Sequence, residues 1–350
     1  MGIVIAFLIF GLIITVHEFG HFIAAKANGI KVLEFSIGMG PRLFKFGKGE
    51  TVYSFRLLPV GGFCAMEGED QDSDDSRSFS KQNVWRRMIV LFAGAFMNFV
   101  LGFVLVTVMT SMGSSVPTLE ISGFSGKKLE DDSVEYMASS YDSGLRTGDI
   151  ITEMDGMRIL TTTDIGYMMG QSSVHDVEVI RDGESILFED VKFSNGISGS
   201  VIDFGLKSAD KNILNVLSYS AKDSVSLGRL VWISLRDLVT GKYSAEELSG
   251  PVGVVSTISE TASQGKNLYE KVVSLLYLSA LMSINIGIMN LLPIPSLDGG
   301  RLLFCFIELI RRKPVKQEHE AWVHIAGMVL VFGLIIFATF NDIKRLITGG

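Results

Sequence analysis

The sequence predicts a multi-pass α-helical membrane protein with four transmembrane helices, a membrane-associated β-hairpin or small sheet, and one extracytoplasmic α/β domain. Three observations lead there. The 350 residues are 47% hydrophobic and only 20% charged, too apolar for a soluble chain of ordinary composition. The apolar excess is gathered into four uncharged runs. Between the second and third runs lies a polar stretch, 111–270, with 13 Lys and Arg against 24 Asp and Glu.

From Met1 to Ala25 the only full charge is Glu18. No charged side chain lies between Arg87 and Glu120, between Lys271 and Asp298, or from Ala321 to Asn341, although His324 sits inside the last run. About 20 apolar residues cross the hydrocarbon core, so each run is long enough, and helices are expected near 3–26, 88–111, 272–294 and 322–341. The first run has no basic segment before it and carries two histidines and a glutamate. It is therefore read as a retained span rather than a cleaved signal. Lys26, Lys31, Arg86 and Arg87 flank the first long connection. Arg301, Arg311, Arg312, Lys313 and Lys316 lie in the last. Both connections are expected on the cytoplasmic side, which places the N-terminus and the acidic stretch outside. The two cysteines, Cys64 and Cys305, then face a reducing compartment and are expected to stay unpaired. A net charge of −7 without a basic block in the outer domain argues against nucleic acid as a partner.

The chain divides accordingly. The first helix with its connection takes 1–29. Residues 30–68 are glycine-rich and imperfectly alternating, with a turn at Gly47-Lys48-Gly49-Glu50. A returning strand over 51–58 is stopped by Pro59 and Gly61-Gly62. This is the membrane-associated β-element. Residues 69–87 form a cytoplasmic loop that begins inside an acidic, serine-rich run at 67–82. After the second helix (88–111), residues 116–208 have the look of a small α/β module. Its segment Gly144-Leu145-Arg146-Thr147-Gly148-Asp149-Ile150-Ile151 is followed by an Asp-Gly turn at 155–156, and a hairpin turns at Asp182-Gly183. Residues 209–270 are an amphipathic helical connector. Its apolar residues either lie on the outer membrane surface or pack on the α/β module. The third helix and the Leu297-Asp298-Gly299 segment after it take 271–310, and the fourth helix and C-terminus occupy 311–350.

His17 and His21 are four residues apart on the first helix, so two imidazoles stack on one face and can share a metal. Glu18 stands beside them, able to take a proton from water. Three polar groups in the middle of an apolar span are expensive and are functional by default. A catalytic zinc takes three protein ligands and an open position. The first and third helices run the same way across the membrane. His17 and His21, late in the first, and Asp298, just past the third, therefore lie at similar depth. Asp298 is the expected third ligand, and Glu308, His319, His324 and Asp342 compete for the place.

His17-Glu18-Phe19-Gly20-His21, the segment Asn290-Leu291-Leu292-Pro293-Ile294-Pro295-Ser296-Leu297-Asp298-Gly299-Gly300, and Ser249-Gly250-Pro251-Val252-Gly253 occur in the order found in the site-two protease family. The chain resembles a bacterial intramembrane zinc metalloprotease of that family. The 116–208 module resembles a single PDZ domain, where some members have two. The resemblance implies Zn2+ as cofactor, His17, His21 and Asp298 as its ligands, and Glu18 as general base. It implies that Asn290 clamps substrate backbone and agrees with a membrane-associated β-element at 30–63. There the strand Arg56, Leu57, Leu58, Pro59 and Val60 is the expected edge for an unwound substrate. It implies a multi-pass location in the bacterial inner membrane and single-span membrane proteins as substrates, such as anti-sigma factors or signal-peptide remnants. The PDZ-like module would bind peptide C-termini or filter by size. Two rival readings, a non-catalytic membrane scaffold and a metal transporter, would call for an altered motif or for ionisable residues along several spans. Here the motif is intact and the ionisable groups gather at one depth.

Overall fold

The computed structural model describes residues 2–47, 49–69, 73–128, 134–194, 202–242, 250–264, 267–313, 315 and 317–348. Part of the expected acidic loop (70–72), part of the connector (243–249, with Ser249) and the side chain of His319 lie outside the described residues. The chain forms two units, one from Met1–Leu105 with Val231–Gly350, the other from Val106–Leu230.

Among the described residues, four helices are long and apolar enough to cross a membrane: α1 (Gly2–Ala27), α2 (Val84–Met112), α7 (Leu268–Leu291) and α9 (Gln317–Thr348). Their exposed faces carry Phe7, Leu8 and Leu12 on α1, Phe92 and Phe96 on α2, and Leu330, Phe332 and Ile336 on α9. So much uncovered apolar surface belongs against lipid rather than water. The inward faces are small. On α1 the buried residues are Ala6, Gly11, Ile13, His17, Gly20, His21, Ala24 and Ala25, a stripe at helical period. A methyl group on Gly20 would overlap the carbonyl of Ala93 and lie 2.8 Å from Cγ of Met97, so α1 and α2 meet backbone to backbone. On α7, Gly287 faces Ala95, and Ser283 Oγ donates to the Asn98 carbonyl at 2.8 Å. Two shorter helices complete the unit. The first turn of α6 (Pro251–Gln264) is capped by Asp342 of α9, which accepts from the N–H groups of Gly250 and Gly253 at 3.1 and 2.7 Å. Helix α8 (Asp298–Arg311) begins at the expected third ligand.

Between α1 and α2 the chain forms a hairpin of β1 (Val32–Phe46) and β2 (Val52–Met66). The second strand does not stop at Pro59 as its composition suggested; it continues to Met66. A bulge absorbs the breakers. Pairing passes from Phe55–Ile37 and Leu58–Met39 to Gly62–Ile37, while Gly38 and Gly61 take left-handed φ values of 85° and 79° that only glycine adopts without strain. Proline has no N–H to waste in such a stretch. Past the bulge β2 runs beside α1, and the Pro59 carbonyl lies against Gly11. The core beneath joins Ala24, Ala25, Ile30, Val32, Phe35, Cys64, Met66, Val90, Leu91, Leu302 and Cys305. Both cysteines are buried free thiols, and burial pushes the Cys305 thiol up to about 11.

The second unit is an antiparallel sheet in the order β10 (Phe204–Ala209), β3 (Val116–Phe124), β6 (Ile150–Met154), β8 (Val174–Arg181), β9 (Glu184–Lys192), with β7 (Met157–Arg158) returning on β6. Strands β4 (Gly126–Lys128) and β5 (Val134–Tyr136) make a separate pair, and α3 (Ser139–Asp142) is a single turn. The Asp155-Gly156 and Asp182-Gly183 turns have positive φ at both residues, the geometry that matches strand twist in tight hairpins. The Gly-Asp pair at 148–149 has a structural explanation. Asp149 is fully buried and takes both forks of Arg181 at 2.6 and 2.7 Å, while its Oδ2 accepts the N–H of Arg146.

The connector begins with helix α5 (Ile213–Val239). It packs on α4 (Thr162–Gln171) through its polar face. Asp223 Oδ1 accepts from Thr161 at 2.7 Å, Ser226 donates to Asp164 at 2.8 Å, and Arg229 reaches Asp164 at 2.7 Å. Its apolar residues divide: Val216 and Leu227 are buried, whereas Ile213, Leu214 and Val225 are exposed. Burial holds the Asp223 carboxyl above the usual range, against the hydroxyls of Thr161 and Thr163. A raised folded pKa means that the unfolded chain releases this proton first. The associated stability is complete below the ordinary carboxylate pKa and is lost as pH rises through the folded value. Amide exchange across α4 and the facing turns of α5 is therefore expected to be slower near pH 4 than at pH 7 after correction for intrinsic rates. The Asp223→Asn variant should lack that component of the pH dependence; an unchanged profile would contradict it.

Candidate metal centre

His17 and His21 lie one turn apart on the inward stripe of α1, 7% and 6% exposed. Their Nε2 atoms are 3.2 Å apart. His21 Nδ1 is 2.8 Å from the Val90 carbonyl of α2. A carbonyl can only accept, so Nδ1 carries the proton and Nε2 presents its lone pair inward. Beside His17, the Asn98 amide nitrogen lies 3.4 Å from Nδ1.

Asp298 arrives from the far end of the chain. Helix α7 ends at Leu291, and a tight segment of consecutive short-range bonds (Ile294 N–H to Leu292, Leu297 N–H to Ile294) turns the chain into α8. Asp298 is the first residue of that helix, where a carboxylate is favoured by the exposed N–H groups. The two glycines after it allow the turn to close. A methyl group on Gly299 would lie 2.5 Å from the Leu291 carbonyl carbon, and one on Gly300 2.6 Å from the Ile294 carbonyl oxygen. The result puts Asp298 Oδ2 at 3.0 Å from His17 Nε2 and 3.2 Å from His21 Nε2.

These three atoms fit a metal. They form a triangle with edges of 3.0, 3.2 and 3.2 Å, close to the roughly 3.3 Å that tetrahedral bonds of about 2.0–2.1 Å to nitrogen and oxygen impose. Oδ2 of Asp298 is buried and makes no hydrogen bond among the described residues, a state that costs free energy unless a cation is there. The space around the imidazoles is kept open by Gly94 of α2. A methyl group there would lie 2.6 Å from Cε1 of His21 and 2.8 Å from Cε1 of His17. Sequence reasoning missed Gly94. Its one signal was a glycine flanked by alanines within an apolar span.

Glu18 is held from the other side. Its Oε2 accepts the N–H of Cys64 at 3.0 Å, and its Cγ faces Gly62. The part of β2 beside Glu18 is thus Gly62–Cys64. The expected edge residues lie earlier on the strand. Leu57 and Leu58 are half-exposed, Pro59 sits at Gly11, and Pro59 and Val60 belong to the bulge where the ladder is interrupted. The side chain of Arg56 is committed within the hairpin, to Glu34 at 2.9 Å, Ser36 at 3.0 Å and the face of Phe63. Asn290, in the last turn of α7, has its amide nitrogen 3.5 Å from both ring nitrogens of His17, which places it over the edge of that ring.

The competing ligands are engaged elsewhere. Glu308 pairs with Arg87 at 2.5 Å, Asp342 caps α6, and His324 accepts the Ser296 N–H at 3.0 Å.

Comparison with known proteins finds relatives named as zinc metalloproteases over nearly the full chain. A protein of Clostridium perfringens named as a zinc metalloprotease is 35% identical over 98% of both chains. The regulator of sigma-W protease RasP of Bacillus subtilis is 33% identical over 98% of each. Zinc metalloprotease RasP of Bacillus licheniformis is 31% identical over 99% of this chain and all of its own. The model of peptidase family M50 matches residues 5–334, so this chain belongs to peptidase family M50.

Proposed function

We propose that the chain is an intramembrane zinc metalloprotease that hydrolyses peptide bonds within or near the transmembrane segments of other membrane proteins. The convergence of His17, His21 and Asp298 on one point inside a bundle of membrane-length helices carries this reading. The relatives named as zinc metalloproteases support it.

His17, His21 and Asp298 would hold the ion. Zinc supplies Lewis-acid chemistry, polarising a carbonyl oxygen and making water more acidic. Glu18 acts as general base, taking a proton from the attacking water and delivering it to the leaving amine. The Cys64 N–H keeps one carboxylate oxygen aimed, which leaves the other for proton transfer. A transmembrane helix has its backbone groups satisfied internally, so a substrate must unwind and find new partners. Strand addition to β2 supplies them, with the Arg56–Val60 stretch, where the ladder is interrupted at Pro59 and Val60, as the candidate edge. The exposed Leu57 and Leu58 would receive apolar side chains, Arg56 stiffens the hairpin, and Asn290 holds substrate backbone next to His17.

The 116–208 module is read as PDZ-like and extracytoplasmic, selecting substrates by size or by their C-termini. The centre then lies toward the cytoplasmic side of a bacterial inner membrane. The name of the sigma-W regulator among the relatives supports anti-sigma factors as one substrate class, with signal-peptide remnants as another.

Glu18→Gln in membranes carrying a model single-span substrate is expected to lower cleavage by about 10²–10⁴-fold, the usual worth of a positioned general base. Cleavage at the wild-type rate would overturn the mechanism. Gly94→Ala is expected to empty the centre, because its methyl group would intrude between the imidazoles. The zinc content of the purified full chain should fall to that of Asp298→Ala, and full retention of zinc in Gly94→Ala would refute the cradle.

A further inference from the structure

The third ligand is set by a segment with an unusual conformation. Ser296, two residues before Asp298, has φ +80°, a region that a residue with a side chain adopts only when its surroundings force it. Helix α8 closes one side of this segment through Gly300, where a methyl group would lie 3.1 Å from Cα of Pro295. Helix α9 closes the other. His324 Nδ1 accepts the Ser296 N–H at 3.0 Å. One turn later, Gly327 lets Pro295 lie against bare helix backbone, and a methyl group there would be 2.5 Å from the Pro295 carbonyl oxygen. His324 and Gly327 are three residues apart and share a face of α9. The His324 side chain is 16% exposed, its ring stands 5.9 Å from that of Phe304 in α8, and Nε2 lies 3.7 Å from Oε1 of Glu320, one turn earlier on α9. Because a backbone N–H can only donate, Nδ1 must be the unprotonated nitrogen. The imidazole therefore serves this segment as a hydrogen-bond acceptor, and it is absent from the three-atom cluster.

We propose that His324 and Gly327 are positioning residues for the metal centre: α9 locks the Pro295-Ser296 backbone and thereby places Oδ2 of Asp298 opposite the two imidazoles. The inference rests on the zinc-protease reading and adds to it the part of the bundle that tunes the third ligand. Groups that orient a metal ligand without touching the metal are typically worth 10–100-fold in affinity.

The test uses the full chain in detergent or nanodiscs. Zinc affinity is read by competition with a chromophoric chelator, and ligand geometry by the visible bands of the Co2+-substituted protein. In His324→Asn, Oδ1 takes the place of Nδ1 and can accept the same N–H. In His324→Gln, Oε1 falls near the position of Nε2 instead. In His324→Phe the ring remains and the acceptor is lost. Zinc affinity should fall about 10–100-fold in His324→Phe and His324→Gln, with altered Co2+ bands, and return to within about threefold of wild type in His324→Asn. Gly327→Ala should weaken zinc as His324→Phe does. Wild-type affinity and Co2+ bands in His324→Phe would overturn the proposal, as would a His324→Asn variant no better than His324→Gln. The second comparison stands even if the phenylalanine variant fails to fold. Asp298→Ala separates the two readings. If it loses zinc while His324→Phe keeps it, only the positioning role fails; if it binds zinc like wild type, the metal centre itself is wrong and the proposal falls with it.

Discussion

Two imidazoles and two carboxylates are packed where apolar helices offer no water, so each must be satisfied by protein or by an ion. Much of the first unit follows from that constraint. The Val90 carbonyl fixes His21, the Cys64 N–H fixes Glu18, and the two N-terminal glycines of α8 let its first turn bring Asp298 inward. Of these four groups, among the described residues, Asp298 keeps an oxygen, Oδ2, without a hydrogen bond, and it faces Nε2 of both imidazoles. The bundle is also built for closeness rather than for apolar contact. Lipid is as apolar as leucine, so burying leucine between membrane helices gains little, whereas small residues allow backbones to touch. Gly20 against Ala93 and Gly94 against the imidazoles serve the same end: α2 comes near enough to supply a carbonyl, yet leaves room for an ion.

The hairpin obeys the same rule from the opposite side. Buried backbone without ladder partners is costly unless protein supplies other partners. Past its bulge, β2 leans on α1 from Gly11 to Glu18, and its last residues join the core beneath the centre. One strand thus holds the Glu18 carboxylate at one end and presents an interrupted ladder a few residues earlier.

The sequence showed those parts whose signal is local. Absence of charge marks the four helices that are long and apolar enough to span a membrane, and the spacing of His17 and His21 marks their shared face. Asp298 could be inferred because equal depth is a property of helix direction and length. The parts it concealed depend on crossings. Gly94 reads as one more small residue in an apolar run until α1 is laid across it. Pro59 reads as a strand terminator because the compensating bulge needs Gly38, on the other strand. In α5 the amphipathic pattern left two settings open, and the buried side mixes Val216 and Leu227 with Asp223 and Ser226. Polar residues at helical spacing carry no label for which side meets protein when the partner, Asp164, is itself polar. His324 looked like a competing ligand because imidazole in an apolar span suggests a metal. Its partner is a backbone N–H, which no pattern in the sequence announces.

The three candidate ligand atoms come from residues 17, 21 and 298. The first span can insert with both imidazoles on one face, but the oxygen that completes the triangle belongs to a segment after the third span. That segment is pressed into shape by His324 and Gly327 of the fourth. Non-local contacts of this kind form late, because the loop between them must be closed first. A cation that bridges the two ends would therefore join the first helix to the last pair. Its binding free energy would count toward assembly of the bundle as well as toward chemistry. The same geometry makes the centre sensitive to α9, whose outward face is lipid-exposed and whose inward face touches the Ser296 backbone. A small displacement of that helix moves a bond two residues from Oδ2, and that bond has little slack, because Ser296 is already in a conformation that only its neighbours sustain.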